Sequence, residues 1–288
     1  MKWTRGTQND DVVDVRGASA PSGGGSGLRL GGGAAVAVVV VVIVGRLLGV
    51  DLSGLLGGGG GGGGGQPTSH QAQPKQGTDE DKELVDFVNF VMKDIQDTFQ
   101  GMYQKEGKQY RRAKLYLFSR AIDTGCGRSS AAIGPFYCPP DTAAYIDLTF
   151  YRDLKDRFHA AGDFAQAYVL AHEIGHHLQK LSGNAAKEQS FGGSRNAASV
   201  RVELQADCYA GVWGHSASER KLLEMGDLEE AINAASQIGD DRLQKEAGRQ
   251  VNPETFTHGT SAQRMRWFKR GFDSGRFDQC DTFSASEL

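Results

Sequence analysis

The sequence predicts an α+β fold, mostly helical with a small antiparallel sheet, preceded by one transmembrane helix. Three observations carry that expectation. Beyond residue 78, apolar residues recur at helical spacing, first as Leu84, Phe87, Val88, Val91, Ile95 and Phe99. Short runs at 114–118 and 143–150 read instead as strands, the second alternating Tyr145, Asp147 and Thr149 against Ile146, Leu148 and Phe150. A valine-rich, uncharged stretch at 30–44 lies near the start.

Residues 1–27 are rich in Gly, Ser and Asp with no apolar period, and read as a flexible cytoplasmic tail. Residues 28–50 read as the membrane helix: Leu47, Leu48 and Val50 extend the apolar stretch, and about twenty residues span the bilayer if Arg46 snorkels to the interface. A long polar start and no small-x-small cleavage site after the apolar core argue against a cleaved signal peptide. Lys2, Arg5, Arg16 and Arg29 precede the span, and no basic residue follows Arg46 until Lys75. That bias keeps the amino terminus in the cytoplasm and the large domain outside. Residues 51–77 include an unbroken glycine run at 57–65 and form a tether.

Residues 78–288 are the folded domain, opening on a capping-box-like Thr78 and Asp81. After the strand at 114–118, residues 134–138 read as another, ending in a Pro139-Pro140-Asp141 turn that leads into 143–150. The run 143–148 is a candidate edge to which an extended peptide could add by main-chain hydrogen bonds; an ordinary internal strand is the competing reading. Helices follow at 164–181, 197–213, 227–238 and 261–271, with a loop of Ser, Gly, Asn and Lys between the first two.

A formal net charge of −3, without basic runs interleaved with aromatics, gives no argument for a nucleic-acid partner. The four cysteines, Cys126, Cys138, Cys208 and Cys280, contain no C-x-x-C pair, so a zinc-thiolate site is not indicated. In a domain outside the cytoplasm the even count favours two disulfides, Cys126 with Cys138 and Cys208 with Cys280.

The stretch 164–181 contains His172, Glu173 and His176 in the order H-E-x-x-H. On a helix the two histidines lie about 40° apart on one face, one turn apart in height, so their ring nitrogens can converge on one cation. Glu173 is then beside the metal-activated water. His177 lies roughly 140° round from His172, too far to share the metal, and reads as an outer contact or solvent-facing.

A catalytic zinc site needs a third protein ligand and an open position. Glu203 is the best candidate, on a separate helix with Asp207 one turn later, where Asp207 could accept the other ring N–H of His172. His159 and His215 are possible substitutes. With zinc on His172, His176 and Glu203, Glu173 would act as general base, and the developing oxyanion would need a further donor. His258 is the first choice for it, with Arg264 and Tyr209 behind.

The motifs HEIGHH, ELQADCYAG and FTHGTSAQRMRWFKRGF, preceded by GPFYCPPDTAAYIDLTF, resemble the bacterial neutral zinc metallopeptidases, membrane-anchored proteins of the glutamate-type zincins. Their order is also similar to that of HtpX-type membrane peptidases, in which a late histidine lies at the active site; His258 matches that position. The amino-terminal MKW and the DVRG ending near Arg16 look like the family's cytoplasmic start. The resemblance implies a zincin-like domain in the bacterial inner membrane, facing the periplasm or exterior, with Zn2+ as cofactor and proteins or peptides as substrates. Two other classes stay open: a zinc-binding scaffold without turnover, and a zinc-dependent amidase acting on a non-protein amide.

Overall fold

The computed structural model describes residues 1–17 and 79–288. Its first helix, α1 (Asp79–Lys105), buries Phe87, Val88, Val91, Ile95 and Phe99, so the spacing read from the sequence is the core-facing stripe. Strands β1 (Val12–Asp14), β2 (Lys114–Phe118), β5 (Phe136–Cys138) and β6 (Ala143–Asp147) form one sheet in the order β1-β2-β6-β5, and a separate hairpin joins β3 (Ala121–Thr124) to β4 (Gly127–Ser130).

The larger sheet is mixed, not antiparallel as expected. β5 and β6 run antiparallel because a tight turn at 139–142 joins them, whereas β2 pairs parallel with both β1 and β6. The chain between β2 and β6 is long enough to return to the starting end, which parallel pairing requires. β6 is therefore central, with all five residues buried and partners on both sides. The candidate edge at 143–148 is corrected to an internal strand; β5 and β1 are the edges. The strand also stops earlier than read, since the Asp147 carboxylate accepts from the Thr149 amide and hydroxyl, both at 2.9 Å, and turns the chain into α2 (Thr149–Asp156).

The amino-terminal segment, expected as a flexible tail, is folded onto the domain. β1 adds to the sheet beside β2, Trp3 packs edge-on against Phe87, and Arg112 ion-pairs with Asp11. The Met1 amine is held by Asp163 and Asp227 at the starts of two later helices. Hydrophobic contact and ion pairing outweigh the polar composition that suggested disorder. Residues 1–17 and 79–288 thus form one body, which a bilayer cannot divide, so the expected placement of the tail and domain on opposite sides is also corrected. The expected membrane helix (28–50) and tether (51–77) lie outside the described residues, among which no helix is long and apolar enough to cross a membrane.

The second half packs around α3 (Asp163–Ser182), which lies between the sheet and α5 (Arg195–Glu219). A short α4 (Ala185–Ser190) forms where a loop was expected, followed after α5 by α6 (Asp227–Gln237), α7 (Asp240–Glu246) and α8 (Ser261–Ser274). α5 and α8 meet at Gly211 and Gly271, where an added Cβ on Gly271 would lie 1.9 Å from the Cys208 carbonyl oxygen. Only glycine allows that approach. Both expected disulfides, Cys126–Cys138 and Cys208–Cys280, are present, and the second ties the carboxy-terminal segment to α5.

Candidate metal centre

α3 carries the first two candidate ligands. It starts after Gly162, whose φ of 126° favours glycine, and stops at Gly183 in the left-handed region. Midway along it Gly175 faces α5, where a Cβ would sit 2.9 Å from the Cα and carbonyl oxygen of Ala206. The missing side chain lets the helices close, and that brings Glu203 to the histidines.

The convergence is direct. His172 Nε2 lies 3.1 Å from Glu203 Oε2, and His176 Nε2 lies 3.6 Å from Glu203 Oε1. One ligand atom from each of the three residues fits within 4.8 Å of the other two. His172 and Glu203 are buried and His176 is partly so. Two imidazole nitrogens and a carboxylate are the donor set of a catalytic zinc site with a position left for water, so these residues fit the ion. Glu173, the next residue after the first candidate ligand, lines the same cavity as His172 and His258.

Each histidine is oriented from behind. His172 Nδ1–H donates to Asp207 Oδ1 at 2.8 Å, as the i, i+4 spacing from Glu203 suggested, while His176 Nδ1–H donates to Gln179 Oε1 at 2.9 Å. Both Nδ1 atoms are thereby engaged from behind, so each Nε2 is the nitrogen turned toward Glu203. Gln179 is in turn fixed by donating to the Val202 carbonyl at 2.6 Å.

Asp207 is fully engaged. It accepts from Tyr168 Oη at 2.5 Å and from Arg264 Nε and Nη2, each at 2.9 Å. Burial alone would raise its pKa; Arg264 and His172 hold it down, to about 2. Burial likewise opposes ionisation of Glu203, yet His176, His172 and His258 keep it well below the usual carboxylate range. For His172 burial favours the neutral ring, but Asp207 and Glu203 outweigh it and raise the pKa to about 10. Glu173 is shifted the other way from Glu203: burial raises its pKa, although His176 and His172 counteract, which makes it a stronger base than a surface carboxylate.

His258 comes to the site on the loop before α8. Asp240 fixes that loop, accepting the backbone amides of Thr257, His258 and Gly259 at 2.7, 2.7 and 3.1 Å, and it also accepts from His258 Nδ1 at 3.2 Å. His258 Nε2 is left for the cavity that Glu173 and His172 border.

The lesser candidates are placed elsewhere. Arg264 lines the cavity, but its guanidinium is committed to Asp207 and to the Ile238 carbonyl. Tyr209 packs against Phe277 and accepts from Asn184. His215 donates to the Phe272 carbonyl and His159 is exposed, so neither replaces Glu203. His177 is corrected from outer contact or solvent-facing to fully buried: burial lowers its pKa to about 4, and the neutral ring donates to the Arg111 carbonyl and accepts from Tyr137.

Sequence reasoning missed Tyr168, Gln179 and Asp240. The first two had a signal, since Tyr168 precedes His172 by one turn and Gln179 follows His176 by three residues, spacings that place side chains on one helical face. Asp240 had none, because its partner loop is distant in sequence.

Comparison with known proteins places this chain in a family. A family profile described as "Putative neutral zinc metallopeptidase" matches residues 1–283. The chain is 47% identical over 293 residues to YpfJ of Escherichia coli (strain K12), itself described as uncharacterized, covering 99% of this chain and 100% of that one. It is 45% identical over 190 residues to Rv2575 of Mycobacterium tuberculosis (strain ATCC 25618 / H37Rv), also described as uncharacterized, covering 62% of this chain and 65% of the relative. No solved structure matches.

Proposed function

Because the chain belongs to the neutral zinc metallopeptidase family, we propose that it hydrolyses peptide bonds in proteins or peptides with one zinc ion held by His172, His176 and Glu203. One observation carries the reading: the two Nε2 atoms face a single carboxylate while both Nδ1 atoms are held from behind. Zinc, when bound, polarises the scissile carbonyl and makes water a nucleophile near neutral pH. Glu173 takes the proton from the attacking water and delivers it to the leaving nitrogen, a role suited to a carboxylate whose pKa burial has raised. His258 Nε2, steadied through Asp240, donates to the oxygen on which negative charge develops. Asp207 keeps His172 in the ligating tautomer and is itself neutralised by Arg264.

The two disulfides favour an oxidising compartment outside the cytoplasm. The amino-terminal segment and the domain share that compartment in this reading, because they form one sheet.

The test is Glu173→Gln in the full chain loaded with zinc. Metal content should equal wild type while cleavage of an unfolded protein substrate is lost. Equal cleavage by wild type and variant would remove the hydrolytic role and favour a scaffold; cleavage of non-protein amides alone would redirect the substrate class.

A further inference from the structure

We propose that the cavity beside Glu173 and His172 is a specificity pocket for one large apolar or aromatic side chain flanking the scissile bond, an inference that rests on the peptidase reading. The cavity has a volume of about 170 Å³. A buried apolar cavity of about 150 Å³ accommodates benzene, so this one suits a phenylalanine or leucine side chain and is tight for an indole. Its walls are Ile133, Phe150, Phe158, Val169 and Leu243, contributed by the segment after β4, by α2 and its end, by α3 and by α7.

Position ties the pocket to the chemistry. Val169 lies three residues before His172 and four before Glu173, on the same face of α3, so the apolar wall runs directly into the catalytic end. Away from the catalytic end, where Glu173 and His258 Nε2 face the cavity, the polar groups around it are already engaged. Arg264 and Tyr168 are both bound to Asp207, while Asp153 and Arg157 lie 3.7 Å apart as an ion pair. A charged or amide side chain seated against these walls would lose water without gaining a partner from them, which disfavours it. A large apolar side chain meets no such penalty and gains contact on most sides.

The experiment uses the full-length chain carrying Glu173→Gln and loaded with zinc, so that peptides bind without being cleaved. Blocked peptides Gly-Gly-X-Gly-Gly with X as Phe, Leu, Ala, Asp or Trp are titrated by calorimetry, and the same peptides are given to the wild type with products identified by mass spectrometry. Phe and Leu should bind at least about tenfold more tightly than Ala, with Asp and Trp weaker still, in line with the discrimination apolar pockets reach. Leu243→Trp in the same background should erase the preference for Phe while zinc content stays unchanged; Ile133→Phe, a smaller intrusion on another wall, should weaken it. Equal affinity for all five peptides, no binding, or a Phe preference that survives both fillings would overturn the pocket. Selective binding of peptides that the wild type never cleaves would leave the pocket standing and overturn the peptidase reading instead.

Discussion

The Asp207 carboxylate accepts the Nδ1 hydrogen of His172 at 2.8 Å, and the opposite nitrogen of the same ring faces Glu203 at 3.1 Å. One imidazole is thus pinned between a residue that orients it and a residue proposed to share its metal. Asp207→Ala should lower zinc affinity by about ten- to a hundredfold. It should also destabilise the fold by about 3–5 kcal/mol, because Arg264 would be left buried without its partner. Competitive chelator titration and thermal unfolding check the two effects separately.

Zinc uptake should be coupled to proton release. In the metal-free protein Asp207 and Glu203, acting against burial, raise the His172 pKa to about 10, so the ring carries a proton at neutral pH that must leave before Nε2 can ligate. Affinity should therefore rise with pH between 7 and 10, and binding at pH 7.5 should release about one proton per ion from this ring. The same shift makes a stability prediction. A raised histidine pKa contributes stability that is fully present below the unfolded value near 6.5 and is lost as pH rises through about 10. Calorimetry in buffers of different ionisation enthalpy measures the proton directly.

His258 and Asp240 should act on turnover and leave metal binding alone. His258→Ala is expected to lower kcat by about a hundred- to a thousandfold with unchanged zinc content, the range for losing one donor to a developing oxyanion. Asp240→Asn can keep the one oxygen that the three loop amides share but changes the partner of His258 Nδ1, and should reduce kcat with KM little changed. A loss of zinc in either variant would place these residues in the metal site instead.

Removing residues 1–17 should destabilise the domain, since β2 loses one of its two neighbours and Phe87 loses Trp3. Trp3→Ala alone should cost about 1–3 kcal/mol, the lower part of the range for truncating a large aromatic because Trp3 is only partly buried. Denaturant unfolding of both variants checks this. An unchanged midpoint would return the segment to the flexible tail its composition suggested.

Much of the candidate site was legible because its candidate ligands obey helical spacing. His172, His176 and Glu173 share one stretch of helix, and the Glu203–Asp207 pair repeats the device on another. The helices themselves were legible for the same reason, since 227–238 and 261–271 lie within a residue or a few residues of α6 and α8. Strand direction was not, because parallel pairing of β2 with β1 and β6 depends on where distant chain returns, which no local pattern records. The docking of Met1 was hidden likewise: its partners Asp163 and Asp227 are over a hundred and sixty residues away and read locally as helix starts. The Asp240 clamp on the His258 loop is a third contact set by tertiary packing alone.

The most direct test of the account is zinc content per chain for wild type and Glu203→Gln, measured on folded protein after dialysis against a weak chelator. The proposed three-residue site predicts one zinc ion per wild-type chain and a sharp loss in the variant, whose neutral amide is a poor substitute for the carboxylate that meets both histidines. Full zinc occupancy in both proteins would contradict it.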